Sequence, residues 1–157
     1  MALSQSKLQQ GLLQAFSSPG GAVGGARALA QAYSKYALDA NSCAAGTILP
    51  AVLVPKTAGL TQSLIAAFSS GLAPATQNLI ATALSLFWLG VPFTAAIPGA
   101  VTAAIPGSLA IALLSISGVP SSSVVSSKLW ATALHTWTTT SVIATHTGIG
   151  ACVSPIF

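Results

Sequence analysis

Residues 8–18 read Leu8-Gln9-Gln10-Gly11-Leu12-Leu13-Gln14-Ala15-Phe16-Ser17-Ser18, and residues 60–70 read Leu60-Thr61-Gln62-Ser63-Leu64-Ile65-Ala66-Ala67-Phe68-Ser69-Ser70. Leu8, Leu12, Leu13, Ala15 and Phe16 are matched by Leu60, Leu64, Ile65, Ala67 and Phe68, and more weakly by Leu109, Leu113, Leu114 and Ile116. A second pattern follows each copy. Ala30-Gln31-Ala32-Tyr33 with Tyr36 corresponds to Ala81-Thr82-Ala83-Leu84 with Phe87, and then to Ala131-Thr132-Ala133-Leu134 with Trp137. Two ordered patterns recurring together mark an internal threefold repeat.

Each copy reads as a helix, a polar turn, a longer helix and an extended tail. Leu8, Leu12, Leu13 and Phe16 share one helical face by their spacing. Ser17-Ser18-Pro19-Gly20-Gly21 stops that helix, and a second runs from about Gly25 to Leu38 with Leu29, Ala32, Tyr33 and Tyr36 on one side. Copy two predicts helices over Leu60 to Phe68 and Thr76 to Leu89, parted near Gly71 and Pro74. Copy three predicts Ser108 to Ile116 and Ser122 to Thr136, parted at Gly118-Val119-Pro120. The tails Thr47 to Pro55, Val91 to Pro106 and Thr138 to Thr145 are rich in β-branched residues or proline and read as extended. The expected fold is mainly α: a single domain, 1–157, of three repeats (about 1–56, 57–107 and 108–157). One hairpin cannot bury both its faces, so three would pack in a pseudo-threefold or stacked bundle with short β extensions. The extensions are candidates for reaching neighbouring subunits.

Composition narrows the function. The 157 residues carry five Lys and Arg and one acid, and charged residues are 4% of the chain. An ordinary soluble domain of this length would carry about 39. Spread over the roughly 7,200 Å² that the mass predicts, so few charges make a poor surface for a freely diffusing monomer. With Asp39 the sole acid, paired-carboxylate glycosidases, two-metal nucleases and calcium loops are excluded unless another chain supplies carboxylates. Lys7, Arg27, Lys35, Lys56 and Lys128 are dispersed in sequence, so no nucleic-acid partner is expected.

No residue set earns a catalytic, cofactor-binding or metal-binding assignment, and no enzyme activity is expected. Cys43, His135, His146 and Cys152 are zinc-ligand types, but no short Cys or His spacing joins them. The two cysteines read as small buried apolar side chains, although one disulfide is open to them. His135 reads as a polar-face residue. Ser4-Gln5-Ser6-Lys7 fits Ser-x-x-Lys without the partner motifs of that hydrolase class. Gly20-Gly21-Ala22-Val23-Gly24-Gly25 lacks the Lys-Ser/Thr of a phosphate loop and reads as a flexible or tightly packed turn. Trp88, Trp130 and Trp137 could form a sugar-stacking platform, yet the repeat position of Trp137 points to packing. Lys35 and Asp39 are spaced to pair across one helical turn.

Mean hydropathy is +0.80, and no charged side chain lies between Thr57 and Ser127. The best 20-residue spans are Leu79 to Pro98 and Gly99 to Gly118, but Gly90, Pro92, Pro98 and Pro106 interrupt them. Burial against other protein accounts for the missing charge equally well, because obligate interfaces resemble a core cut in half. Three glutamines break the apolar run after Lys7, so no secretory leader is expected and the chain reads as kept inside a cell or exported within a particle.

Met1-Ala2-Leu3-Ser4-Gln5-Ser6-Lys7-Leu8 resembles the start of small virion proteins of tailed bacteriophages. So does the short helix ending Ala15-Phe16, followed by an Ala-rich helix with Tyr33 and Tyr36 and a Val/Thr-rich tail. The resemblance implies a non-enzymatic particle component. The functional expectation is a structural subunit of a large symmetric assembly, a bacteriophage virion component (tail or baseplate first, neck or head second). It would be assembled in the host cytoplasm and held by other protein subunits, including copies of itself. The alternative is a small integral membrane pore-former of the holin kind, with helices over Leu79 to Gly118.

Overall fold

The computed structural model describes residues 2–17, 19–71, 73–117 and 122–157. The predicted break at Gly118-Val119-Pro120, and Ser18 of the first turn, lie outside the described residues. Among the described residues the protein is mainly helical, with six helices and a small antiparallel sheet. The helices are α1 (Gln5–Ser17), α2 (Gly21–Ala37), α3 (Pro50–Ser69), α4 (Ala73–Trp88), α5 (Gly107–Ser117) and α6 (Ser123–Ser141). The strands are β1 (Pro92–Phe93), β2 (Gly99–Ala104), β3 (Val142–His146) and β4 (Cys152–Pro155), in that spatial order.

Each helix packs on the next in sequence, and α6 packs back on α1. The faces turned inward are those the leucine spacing selects. Leu8, Leu12, Leu60, Leu64, Leu109 and Leu113 are buried, as are Tyr36, Phe87 and Trp137. Gly11 lets α1 and α2 approach closely, since a Cβ there would stand 2.9 Å from the Cβ of Ala32. Helix ends follow local chemistry. The Ser4 hydroxyl accepts from the Lys7 amide, which makes the Ser-x-x-Lys stretch a helix cap, and Ser122 accepts likewise from Val125.

Three boundaries differ from expectation. First, α2 starts at Gly21 and takes in the glycine-rich stretch, because Gly20 holds φ at 144°, a value other residues rarely adopt, and caps the helix there. Second, Pro50 to Pro55 is helical, so α3 runs through the repeat boundary placed near residue 56. Pro50 occupies the first turn, where a missing N–H costs nothing. Pro55 lies inside the helix, and the hydroxyls of Thr57 and Thr61 bond carbonyls one turn back, at Leu53 and Thr57. Third, Thr138 to Ser141 belongs to α6. Thr139 and Thr140 donate to the carbonyls of His135 and Thr136, which lets β-branched residues stay helical. The strand begins only at Val142.

The extended tails pair with one another and not outward. β2 pairs with β3 with an irregularity between Val101 and Ala103, and β3 pairs with β4. Beyond them, Thr47 exchanges backbone bonds with Thr94, Asn41 exchanges them with Phe157, and Asn41 is bridged to Thr47. The 41–47 loop thus joins the two edges of the sheet. The extensions thus pair with one another across the sheet within the chain.

The two apolar windows considered as spans are not continuous helices. Leu79 to Pro98 leaves α4 at Trp88 and enters β1, while Gly99 to Gly118 holds β2 and α5. Among the described residues one helix, α3, is long and apolar enough to cross a membrane.

Candidate functional site

Three places gather polar side chains. The first lies where the C-terminal halves of α2, α4 and α6 meet. The Trp88 indole N–H donates to the Tyr33 hydroxyl at 2.9 Å, and that hydroxyl shares a 2.6 Å hydrogen bond with Thr138. One turn along, the Tyr36 hydroxyl lies 2.7 Å from Nδ1 of His135. Phe87 and Trp88 meet Tyr33 edge-on. Burial pushes both tyrosine phenols above their ordinary range, with Tyr33 adding to the shift of Tyr36. Burial also pulls the His135 imidazole below its usual value. All three are therefore neutral at pH 7, and the Tyr36 hydroxyl and Nδ1 share one hydrogen bond. His135 is thus not simply a polar-face residue: it ties α6 to α2. A neutral, mutually satisfied cluster fixes the relative height of three helices.

The second place sits under the joined edges of the sheet. His146 is 1% exposed. Its Nδ1 lies 2.8 Å from the Ile97 carbonyl and its Nε2 lies 2.7 Å from the Ser42 hydroxyl. A ring nitrogen meets a carbonyl only by donating, so Nδ1 carries the hydrogen and Nε2 accepts from Ser42. Ser42 in turn accepts from the Gly46 amide. A Ser–His hydrogen bond is also the arrangement that activates a nucleophile. Here Ser42 is fully buried, so the bond pins the 41–47 loop to β3. Gly99 is required beside it, since a Cβ there would come 2.3 Å from His146 Nδ1.

Next to this pair, Cys43 and Cys152 are joined in a disulfide across 109 residues. This corrects their reading as buried apolar side chains: Cys43 is exposed and Cys152 half-buried. The bond closes the loop onto β4 and uses both sulfurs that a zinc site with the histidines would need. Among the described residues no three His, Cys, Asp or Glu side chains gather.

The third place is a cleft of about 570 Å³ between α1 and α2. Lys7 reaches across it to Asp39 at 2.7 Å, which corrects the expected Lys35–Asp39 pair. Gln10, Gln14, Gln31 and Lys35 line the rest. The tryptophans form no platform: Trp88 and Trp137 are buried, and Trp130 stands edge-on to Phe16 at 5.7 Å. Sequence spacing could not reveal the Ser42–His146 bond or the cysteine pair, because each joins segments more than a hundred residues apart.

The remaining feature is a surface. The outward faces of α3, α4 and α5 present Val54, Leu79, Leu86, Ile111 and Leu114, with Ala58, Gln62, Ser63, Asn78, Thr82 and Ser115 between them. Lys56 is folded over the end of α4, 2.5 Å from the Leu89 carbonyl; α4 and α5 carry no charged residue, while the α3 edge of this surface, at Val54, Ala58 and Gln62, borders Arg27 of α2. No family model matches this chain, and neither a curated protein nor a solved structure matches it.

Proposed function

We propose that the protein is a non-enzymatic structural subunit of a large symmetric assembly, a bacteriophage virion component of the tail or baseplate before the neck or head. The observation that carries this reading is the outward wall of α3, α4 and α5, where α4 and α5 carry no charged residue. It mixes aliphatic side chains with amides and hydroxyls. Such a surface suits close, partly hydrogen-bonded contact with another protein better than it suits lipid, where each unpaired amide or hydroxyl is costly. With the strand edges joined internally, helix faces are what remains for contact with copies of itself and other subunits. The six helices are read as three copies of one hairpin about a pseudo-threefold axis in a single domain. Supporting this are the packing of α6 on α1 and the shared burial of Tyr36, Phe87 and Trp137. Location in a virion assembled in the host cytoplasm accommodates the disulfide, since such bonds persist on particle surfaces once outside the cell.

Leu86→Glu combined with Ile111→Glu places two carboxylates on the wall at exposed positions (58% and 72% accessible). Far-ultraviolet circular dichroism is expected to stay unchanged, while sedimentation at high concentration shifts from large species to monomer. A parent chain that is itself monomeric at high concentration without detergent refutes the proposal. The second reading is a small membrane pore-former, favoured by the length and apolar character of α3. Carbonate washing separates the two: an assembly subunit is released or pellets as particles, whereas a membrane-embedded chain stays with lipid.

A further inference from the structure

Four of the charged groups, scattered in sequence, gather along α2: Lys7, Arg27, Lys35 and Asp39. Arg27, Gln31 and Lys35 are all exposed and follow one another at four-residue steps along α2. Eight residues of helix set the two cations about 12 Å apart along the axis. Neither makes a hydrogen bond or ion pair among the described residues, whereas Lys7 is held by Asp39 and Lys56 by Leu89. A groove lies on each side of this ridge. On the α1 side is the 570 Å³ cleft with Gln10, Gln14 and the Lys7–Asp39 pair. On the α3 side a second groove of about 550 Å³ is lined by Ser34, Thr57 and Gln62 together with the apolar Pro50, Val54 and Ala58. The ridge therefore alternates cation, amide, cation, with Lys35 facing the α1 cleft, Arg27 facing the α3 groove and Gln31 lining both.

We infer that the α2 ridge, with its two flanking grooves, docks an acidic segment of a different protein, whose carboxylates meet Arg27 and Lys35 and whose backbone meets the glutamines. Charge complementarity decides the occupant. The ridge lacks anions, and a second copy of this chain has none to give, because its one acidic side chain, Asp39, is already bound to Lys7 at 2.7 Å. Nucleic acid fits less well: two free cations neutralise little of a phosphate backbone, and no aromatic face on the ridge is offered for stacking. Carboxylates about 12 Å apart occur seven or eight residues apart on a helix or four apart on a strand. This inference adds a partner to the assembly reading, but the binding itself does not depend on that reading.

The test uses the full, disulfide-bonded chain and fluorescence anisotropy with a labelled oligo-glutamate peptide at low salt, against an oligothymidylate of equal charge. The peptide is expected to bind, to weaken as salt rises, and to lose about tenfold or more in affinity with Arg27→Glu and Lys35→Glu together. Gln31→Ala is expected to weaken it further, an effect that bare charge attraction would not produce. The wall variant with Leu86→Glu and Ile111→Glu should leave peptide binding unchanged, so failure of assembly and failure of docking are read separately. Peptide affinity that ignores the charge reversal, or equal or tighter binding of the oligothymidylate, overturns the inference. So does self-association that disappears with Arg27→Glu and Lys35→Glu, which would give the ridge to a second copy.

Discussion

Opening the Cys43–Cys152 bond, by reductant or by Cys43→Ala with Cys152→Ala, lowers the unfolding free energy by about 4–5 kcal/mol. The size follows from the 109 residues between the two cysteines. A cross-link spanning that much of the chain removes a large part of the freedom of the unfolded state, and the chain-entropy account scales with the logarithm of the loop. The native side of the balance changes little. Cys43 is exposed, so little apolar burial is lost, and the Ser42–His146 bond and the pairing of Asn41 with Phe157 still hold the loop. Urea unfolding with and without reductant measures the change. The unbridged chain should also show a steeper dependence on urea, because its unfolded state exposes more surface. A loss below about 1 kcal/mol would mean that the unbridged unfolded chain gains little freedom, against the chain-entropy account.

Trp88→Ala is the second large effect, at about 3–5 kcal/mol. Trp88 is fully buried and meets Tyr33 and Phe87 edge-on. Its removal leaves a cavity where α2, α4 and α6 converge and strips the Tyr33 hydroxyl of its indole donor. Trp88→Phe separates the two contributions. It keeps a six-membered aromatic ring and loses the pyrrole part with its N–H, so it should cost about 1–2 kcal/mol from the missing hydrogen bond and the smaller ring. Thermal or denaturant unfolding followed in the near ultraviolet reads both variants. Equal costs for the two would mean that the remaining six-membered ring contributes nothing by packing, so that the indole N–H and pyrrole part carry the whole effect.

The helices are legible in the sequence because their faces are written as leucine and aromatic spacing. Leu8, Leu12, Leu60, Leu64, Leu109 and Leu113 point inward as that spacing requires. Residues 50–55 and 138–141 are misleading for a definite reason. Val, Thr and Pro there favour extended backbone locally, but the first sits at a helix start that tolerates proline and the second back-bonds its hydroxyls to the helix. The polar sites were less legible still. His146 and Ser42 lie 104 residues apart, and nothing in the local sequence of either marks the other. Lys7 displaces Lys35 at Asp39 because α1 lies alongside the end of α2, a tertiary fact that helical spacing cannot encode. Likewise, Arg27 and Lys35 look dispersed along the chain and become one ridge only when α2 is wound.

The return of α6 onto α1 has a mechanical consequence. An open stack of hairpins frays from its ends, since a terminal unit is held on one side only. Here Gln5 on α1 bonds Thr132 on α6, so the first and last helices guard each other. No unit can peel away without breaking contacts on both flanks, and melting is therefore expected as one cooperative event, with helix signal and tryptophan fluorescence lost together.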